Sequence, residues 1–227
     1  MRRHPRRGEA GREVSLPSER GAEVGRRIGV GLMHGLWRPR VLGAWRVPAT
    51  GPAILAVNHS HNIDGPMVMG VAPRPTHFLI KKEAFVGPLG SFLTGIGQLE
   101  VDRHTTDRTA ITRAIGVLDA GGVLGIFPEG TRGEGDFASL RAGLAYFAVR
   151  SGSPVVPVAV LGSSERRGRL IQGLPPLRSR IDVVFGDPFD AGDGSGRRTR
   201  RALDEATERI QKQLTAHLEN ARRLTGR

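Results

Sequence analysis

Cysteine is missing from the 227 residues, which excludes disulfides, thiolate metal sites and a cysteine nucleophile, and permits a reducing compartment. Long apolar runs are missing too. No stretch approaches the roughly 20 residues that cross a bilayer as a helix, and the opening MRRHPRRGEAGRE has none of the apolar middle region of a secretory signal. The expected location is therefore cytoplasmic. Aromatic residues are scarce: one Tyr, two Trp and eight Phe leave few platforms for stacking single-stranded bases, and no nucleic-acid-binding module is recognisable. A Walker loop and a Gly-x-Ser-x-Gly elbow are also lacking, so nucleotide-hydrolase and serine-hydrolase readings have no support.

What is abundant is arginine, 31 against 3 lysines, and it sets a net charge of +12. The surplus is confined to the ends. Residues 1–46 hold 11 arginines against 4 glutamates, and residues 197–227 hold 9 basic against 4 acidic side chains, while 47–196 balance at 14 each. Basic ends on a neutral body suit an anionic membrane surface, where each nearby cation adds on the order of 1 kcal/mol. A solvated tail that aids solubility is the plainer alternative. The remaining composition, 38% hydrophobic and 25% charged, is that of one globular core rather than a disordered chain.

The pattern along the chain divides it into a basic flexible tail (1–22), an amphipathic helix (23–40), a domain (41–192) and a C-terminal helix (197–225). In the first helix Val24, Ile28, Leu32 and Leu36 share a ridge opposite Arg27, His34 and Arg38. Its glycines weaken it as a free helix by roughly 1 kcal/mol each, so it needs a surface to lie on, either lipid or the core; Pro39 is expected to end it. Strands are expected at 41–47, 53–57, 77–80, 97–101, 123–127, 155–161 and 181–185, helices at 65–71, 106–120 and 139–149, and a hinge at 192–196. The last helix should pack Leu203, Ile210, Leu214 and Leu218 on the domain. Strands alternating with helices predict a single α/β domain with a mixed, partly parallel sheet flanked by helices.

Chemistry is concentrated in AVNHSHNIDGP, residues 56–66. His59 follows a strand, where loops commonly carry reactive groups. In a continuous helix, residues five apart lie about 140° around the axis and cannot meet, so the chain must turn before Asp64, and Asp64-Gly65-Pro66 offers an N-cap with proline in the first turn. A carboxylate held there would orient one imidazole nitrogen and leave the other as a base, the arrangement of hydrolytic triads without an enzyme nucleophile. Alone, the pair is equally compatible with a structural hydrogen bond. FPEGTR, residues 127–132, turns the chain after a buried strand. Amides of Gly130 to Arg132 could face one anion with the Arg132 guanidinium forking a phosphate, or the segment is an ordinary turn with a surface arginine. GQLEVDR (97–103) is another strand ending in a basic residue, and the proline in VVPVAV (155–160) suggests a bulge or an edge.

The ordered series NHSHNID, GQLEVDR, FPEGTR, VVPVAV resembles the four blocks of the glycerolipid acyltransferase family, over roughly residues 45–190, with KKEAF (81–85) and GPLG (87–90) fitting between them. That family includes 1-acylglycerol-3-phosphate O-acyltransferases. The resemblance implies His59 as general base and Asp64 as its orienting partner. It places Asn58, Arg103, Glu129, Gly130, Thr131 and Arg132 around the phosphate and glycerol of a lysophospholipid acceptor, with Val156 and Pro157 lining the acyl-donor side. It further implies acyl-CoA or acyl carrier protein as donor substrate, no metal or other cofactor, and peripheral attachment to the cytoplasmic face of the cell membrane. Three positions depart from the family pattern: His61 where serine is usual, Glu100 where an apolar residue is usual, and Arg141 where lysine is frequent. The first two bear on which acceptor is used. Rival readings are the same chemistry on glycerol-3-phosphate, another lysophospholipid or an amine-bearing lipid; a metal hydrolase built on His59, His61 and Asp64; and a non-catalytic lipid- or nucleic-acid-binding protein relying on its basic ends.

Overall fold

The computed structural model describes residues 15–103, 105–130, 134–137, 140, 142–163, 174–192 and 199–227. In chain order the elements are α1 (Glu19–Leu36), β1 (Arg38–Leu42), β2 (Ala53–Val57), α2 (Asp64–Val71), β3 (Thr76–Lys81), α3 (Gly87–Gly95), β4 (Leu99–Val101), α4 (Arg108–Asp119), β5 (Val123–Ile126), α5 (Gly143–Ser151), β6 (Val155–Leu161), β7 (Arg180–Phe185) and α6 (Arg200–Thr225). The strands form one sheet in the order β1-β7-β6-β2-β5-β3-β4. Every neighbouring pair is parallel except β6 with β7. This is the mixed α/β sheet expected from the alternation of patterns.

All five residues of β2 are buried because both faces of the sheet are covered. Ile54 and Ala56 face the layer of α4, α5 and α6, whose Ala114, Leu118, Leu144, Ile210 and Leu214 complete that core. Ala53, Leu55 and Val57 face the other side, with Met33 and Trp37 of the α1 end and Met67 and Val68 of α2. The α6 stripe runs through Ala206, Ile210, Leu214 and Leu218. Leu203 is only half-buried at its start.

Several boundaries moved for identifiable reasons. The helix expected at 23–40 begins at Glu19, where Ser18 Oγ accepts the Gly21 N–H at 3.0 Å. It stops at Leu36, so Pro39 lies inside β1 instead. There it is tolerated because β1 is an edge strand paired only with β7. The strand expected at 41–47 ends at Leu42, since Gly43 takes a left-handed φ of 71° and starts a short 3-10 turn over Ala44–Arg46. Helix α3, rich in glycine and opened by Pro88, was not expected as a helix. Asp107 caps α4 through the Ala110 N–H at 2.9 Å and Thr199 caps α6, which delays both starts by two or three residues; α5 begins at Gly143 rather than 139. The hinge expected at 192–196 lies, beyond Gly192, outside the described residues. Pro157 marks neither bulge nor edge: β6 is internal, and the proline falls one residue past the last β6–β7 pair, Val158 with Phe185.

The faces of α1 are assigned opposite to what side-chain hydrophobicity suggests. Gly25, Gly29 and Met33, not the ridge of Val24, Ile28, Leu32 and Leu36, meet the domain. A Cβ on Gly29 would lie 2.9 Å from the Gly70 Cα, one on Gly70 would lie 2.6 Å from the Gly29 carbonyl carbon, and one on Gly25 would lie 2.9 Å from the Ile96 Cβ. Helices α1 and α2 thus touch backbone to backbone, and Val24, Ile28, Leu32 and Leu36 stand 38–53% exposed on the far side. This packing predicts that Gly70→Leu costs about 1–3 kcal/mol of stability by overpacking, while Leu32→Ser stays within about 0.5 kcal/mol. Urea unfolding of the two variants checks it, and a costlier Leu32→Ser would reverse the assignment.

Candidate functional site

Strands β2, β3, β4, β5 and β6 run parallel, so their carboxyl ends open at one edge of the sheet, where α/β sheets bind ligands. His59 leaves the end of β2 there, and Asp64 returns five residues later as the first residue of α2. The turn is closed by the Asp64 N–H donating to the His61 carbonyl at 3.2 Å. Asp64 is not the N-cap; that position is Ile63. Its carboxylate reaches backward instead, and Oδ2 accepts the Ser60 N–H at 2.8 Å and the His61 N–H at 2.6 Å. The same oxygen faces His59 Nδ1 at 3.4 Å. Asp64 has no exposed side-chain surface, whereas the His59 ring is 18% exposed. The pair therefore meets with the carboxylate underneath and the distal Nε2 of the ring left for a reactant.

The ring is held from a second direction. His59 stacks on Phe127 with centroids 4.1 Å apart, and Phe127 stacks on Phe78 at 5.5 Å. Gly125 makes room for this column, since a Cβ there would lie 2.5 Å from the Phe78 ring. A stacked aromatic pair contributes about 0.5–1.5 kcal/mol beyond its buried area, which restricts ring rotation as well as anchoring it.

After Phe127 the chain turns, with the Gly130 N–H donating to the Phe127 carbonyl at 3.0 Å and Gly130 at a positive φ of 71°. Glu129 sits half-buried on this turn beside His59. Burial pushes its carboxyl above the usual carboxylate range, against the pull of the His59 and Phe137 backbone N–H groups that face it; Asp136 adds to the upward push. From the end of β4, Arg103 Nη1 donates to the Gly130 carbonyl at 2.5 Å, and its Nε is buried without a partner among the described residues. His59, Asp64, Arg103, Glu129 and Gly130 are thus brought to one edge.

Not every expected contact is there. The Asn58 side chain is 2% exposed and fully engaged with backbone: Nδ2 donates to the Val160 carbonyl at 3.1 Å and the Gly135 carbonyl at 3.3 Å, and Oδ1 accepts the Val160 N–H at 2.7 Å. It does not line the site. Val156 is fully buried in the core on the α1–α2 side and Pro157 is buried inside β6, so neither lines a donor channel; an internal strand covered on both faces has no open surface there. Thr131, Arg132 and Arg141 lie outside the described residues. His61 Nδ1 faces the Ile63 N–H at 3.5 Å, and among the described residues no three His, Asp or Glu side chains gather to hold a metal ion. Glu100 is exposed on the edge strand β4. Sequence reasoning missed Phe127 and Phe78. A phenylalanine ending a buried strand reads as core, and only its position directly before the Pro128-Glu129-Gly130 turn hinted otherwise.

The model of the acyltransferase family matches residues 38–161. This chain belongs to the acyltransferase family. The matched span runs from β1 to the end of β6 and contains all four sequence blocks, while α1, β7 and α6 lie outside it. Within the family, the chain is 29% identical over 183 residues to a protein named 1-acyl-sn-glycerol-3-phosphate acyltransferase from Bacillus subtilis (strain 168), an overlap of 80% of this chain and 88% of that one. A protein of the same name from Limnanthes alba is 33% identical over 142 residues, 56% of this chain and 50% of its own length. The crystal structure of the 1-acyl-sn-glycerophosphate (LPA) acyltransferase PlsC from Thermotoga maritima shares the fold, with a TM-score of 0.63 at 21% identity over 87% of this chain and 79% of that one. This acyltransferase therefore has the family's sheet and carries the His59–Asp64 pair at its open edge.

Proposed function

We propose that this acyltransferase moves a fatty acyl group from acyl-CoA or acyl carrier protein to the free hydroxyl of 1-acylglycerol-3-phosphate, with His59 as general base. The observation that carries the reading is the meeting of His59 with the buried Asp64 carboxylate at 3.4 Å, next to the turn that Arg103 holds. The names of the relatives point to the same acceptor. In the reaction the acceptor hydroxyl gives its proton to His59 Nε2 and its oxygen attacks the thioester carbonyl. The tetrahedral intermediate then expels the thiolate, which takes the proton back from the imidazolium. Asp64 keeps the proton of the neutral ring on Nδ1 and stabilises the imidazolium that forms. Arg103, Glu129, Gly130, Thr131 and Arg132 are the residues proposed to receive the acceptor's phosphate and glycerol, a guanidinium being suited to fork phosphate oxygens.

The substrate and product are lipids, and the proposed place of work is the cytoplasmic face of the cell membrane. Among the described residues no helix is long and apolar enough to cross a membrane. The outward ridge of α1 supplies Val24, Ile28, Leu32 and Leu36, the neighbouring α3 and the residue before it add the exposed Leu89, Phe92 and Val86, and the surrounding arginines favour anionic headgroups. An interfacial helix needs this apolar face with cations around it.

Two measurements test the reading. Purified wild type and His59→Ala are each incubated with one labelled acyl donor and a panel of 1-acylglycerol-3-phosphate, glycerol-3-phosphate and other lysophospholipids, and the products are identified by mass spectrometry. Acyl transfer to 1-acylglycerol-3-phosphate is expected from wild type, with a loss of about 10²–10⁴-fold in the variant; near-wild-type rates in His59→Ala remove the base, and preferred transfer to another acceptor removes the substrate. Flotation with vesicles containing anionic phospholipid should carry wild type upward and leave Leu32→Ser largely behind. Equal flotation of the two would exclude the α1 ridge as the docking face.

A further inference from the structure

Strand β6 outlasts β2 at the open edge of the sheet. The last backbone bond between them is the Asn58 N–H to the Val158 carbonyl at 3.3 Å, after which β2 leaves the ladder while β6 continues to Leu161. The N–H and carbonyl of Val160 are then left facing the gap in a buried place, where an unpaired backbone group costs about as much as a lost hydrogen bond. Both are taken by one side chain. Asn58 Oδ1 accepts the Val160 N–H at 2.7 Å and Asn58 Nδ2 donates to the Val160 carbonyl at 3.1 Å. A carboxamide carries the same donor and acceptor as a peptide unit, so the side chain stands in for the next residue of the strand and the backbone is free to peel away at His59.

The second hydrogen on Nδ2 goes to the Gly135 carbonyl at 3.3 Å, on the segment that follows the Phe127–Gly130 turn. The approach is close: Gly135 has a positive φ of 68°, and a Cβ there would lie 3.1 Å from Asn58 Nδ2 and 3.2 Å from the Ser60 Cβ. One buried amide therefore joins three pieces of chain, namely the end of β2, the end of β6 and the segment carrying Gly135 and Phe137, whose N–H faces Glu129.

We propose that Asn58 is a positioning residue for catalysis: its carboxamide fixes the point at which His59 leaves the sheet and locks the His59–Asp64 loop to the segment at Gly135, without touching substrate. The inference rests on His59 being the base. Asparagine is required because the three partners are one N–H donor and two carbonyl acceptors. Aspartate would keep the bond from Val160 N–H but turn an acceptor toward both carbonyls, and leucine would satisfy none of them.

Steady-state kinetics on Asn58→Asp and Asn58→Leu, with 1-acylglycerol-3-phosphate and acyl-CoA varied separately, test it. Displacement of a base by a fraction of an ångström to one ångström costs up to about 10²-fold, so kcat is expected to fall about 10- to 100-fold with both KM values within about twofold. The pH profile of kcat should move as well, because the histidine sits differently against Asp64; a merely structural loss would lower the folded fraction and leave the profile in place. Gly135→Ala, which presses on the clasp from the other side, should lower kcat in the same way if the Asn58 variants do not fold. A raised acceptor KM with kcat retained would make Asn58 a substrate contact and overturn the inference, as would unchanged kinetics. Failure of the base assignment itself reads out separately, as activity retained by His59→Ala.

Discussion

A carboxylate with no exposed surface must be compensated where it sits, and the loop that Asp64 organises compensates its Oδ2 oxygen, while Oδ1 is buried without a partner among the described residues. Two backbone N–H groups, from Ser60 and His61, converge on Oδ2 at 2.8 and 2.6 Å, and charge-assisted bonds of this kind are about twice as strong as neutral ones. The start of α2 adds the favourable end of a helix dipole. The hexapeptide from His59 to Asp64 therefore closes around its own aspartate, and His59 is presented as a consequence of that closure. Stacking on Phe127 and the Asn58 amide bonded to Val160 and Gly135 complete the frame. Removing the carboxylate would release two amides and the ring together, so geometry and chemistry share one cause.

Much of the architecture follows from patterns visible along the chain. The β2, β5 and β6 runs are continuous apolar stretches because both of their faces are covered, and the periodic stripes of α4 and α6 are those of helices packed on one side. The His59–Asp64 spacing was legible because it has a geometric consequence: a residue pair five apart needs a turn in order to meet. Less legible were features where the side chain serves the backbone. Asn58, read beside a reactive histidine, invites a substrate role, yet its amide completes a strand ladder with Val160, a partner 102 residues away. Phe127 belongs by composition to the core and by position to the site. Pro157 signals an edge by rule, but the ladder it would interrupt ends there.

The first helix illustrates the same difficulty at larger scale. Hydrophobicity ranks Val24, Ile28, Leu32 and Leu36 as the buried face, whereas Gly25 and Gly29 are buried and the ridge is exposed. Backbone-to-backbone contact between Gly29 and Gly70 draws α1 tightly onto α2, the helix that begins with Asp64. Gly25 and Gly29, which weaken α1 as a free helix, are among the residues that seat it, and the apolar ridge that would ordinarily seat it is left to meet something else. Basic ends, an outward apolar ridge and a site at one sheet edge are a coherent set for chemistry on lipid headgroups.

All of this depends on Asp64 holding the His59 ring with its proton on Nδ1 and its lone pair on Nε2. Long-range proton–nitrogen correlation spectra of protein labelled with ¹⁵N-histidine, recorded with the ring neutral and assigned through His59→Ala, read that tautomer directly. The account predicts Nδ1–H with unprotonated Nε2 for His59 and a loss of that preference in Asp64→Asn. A neutral His59 carrying its proton on Nε2 in the wild-type protein would contradict it.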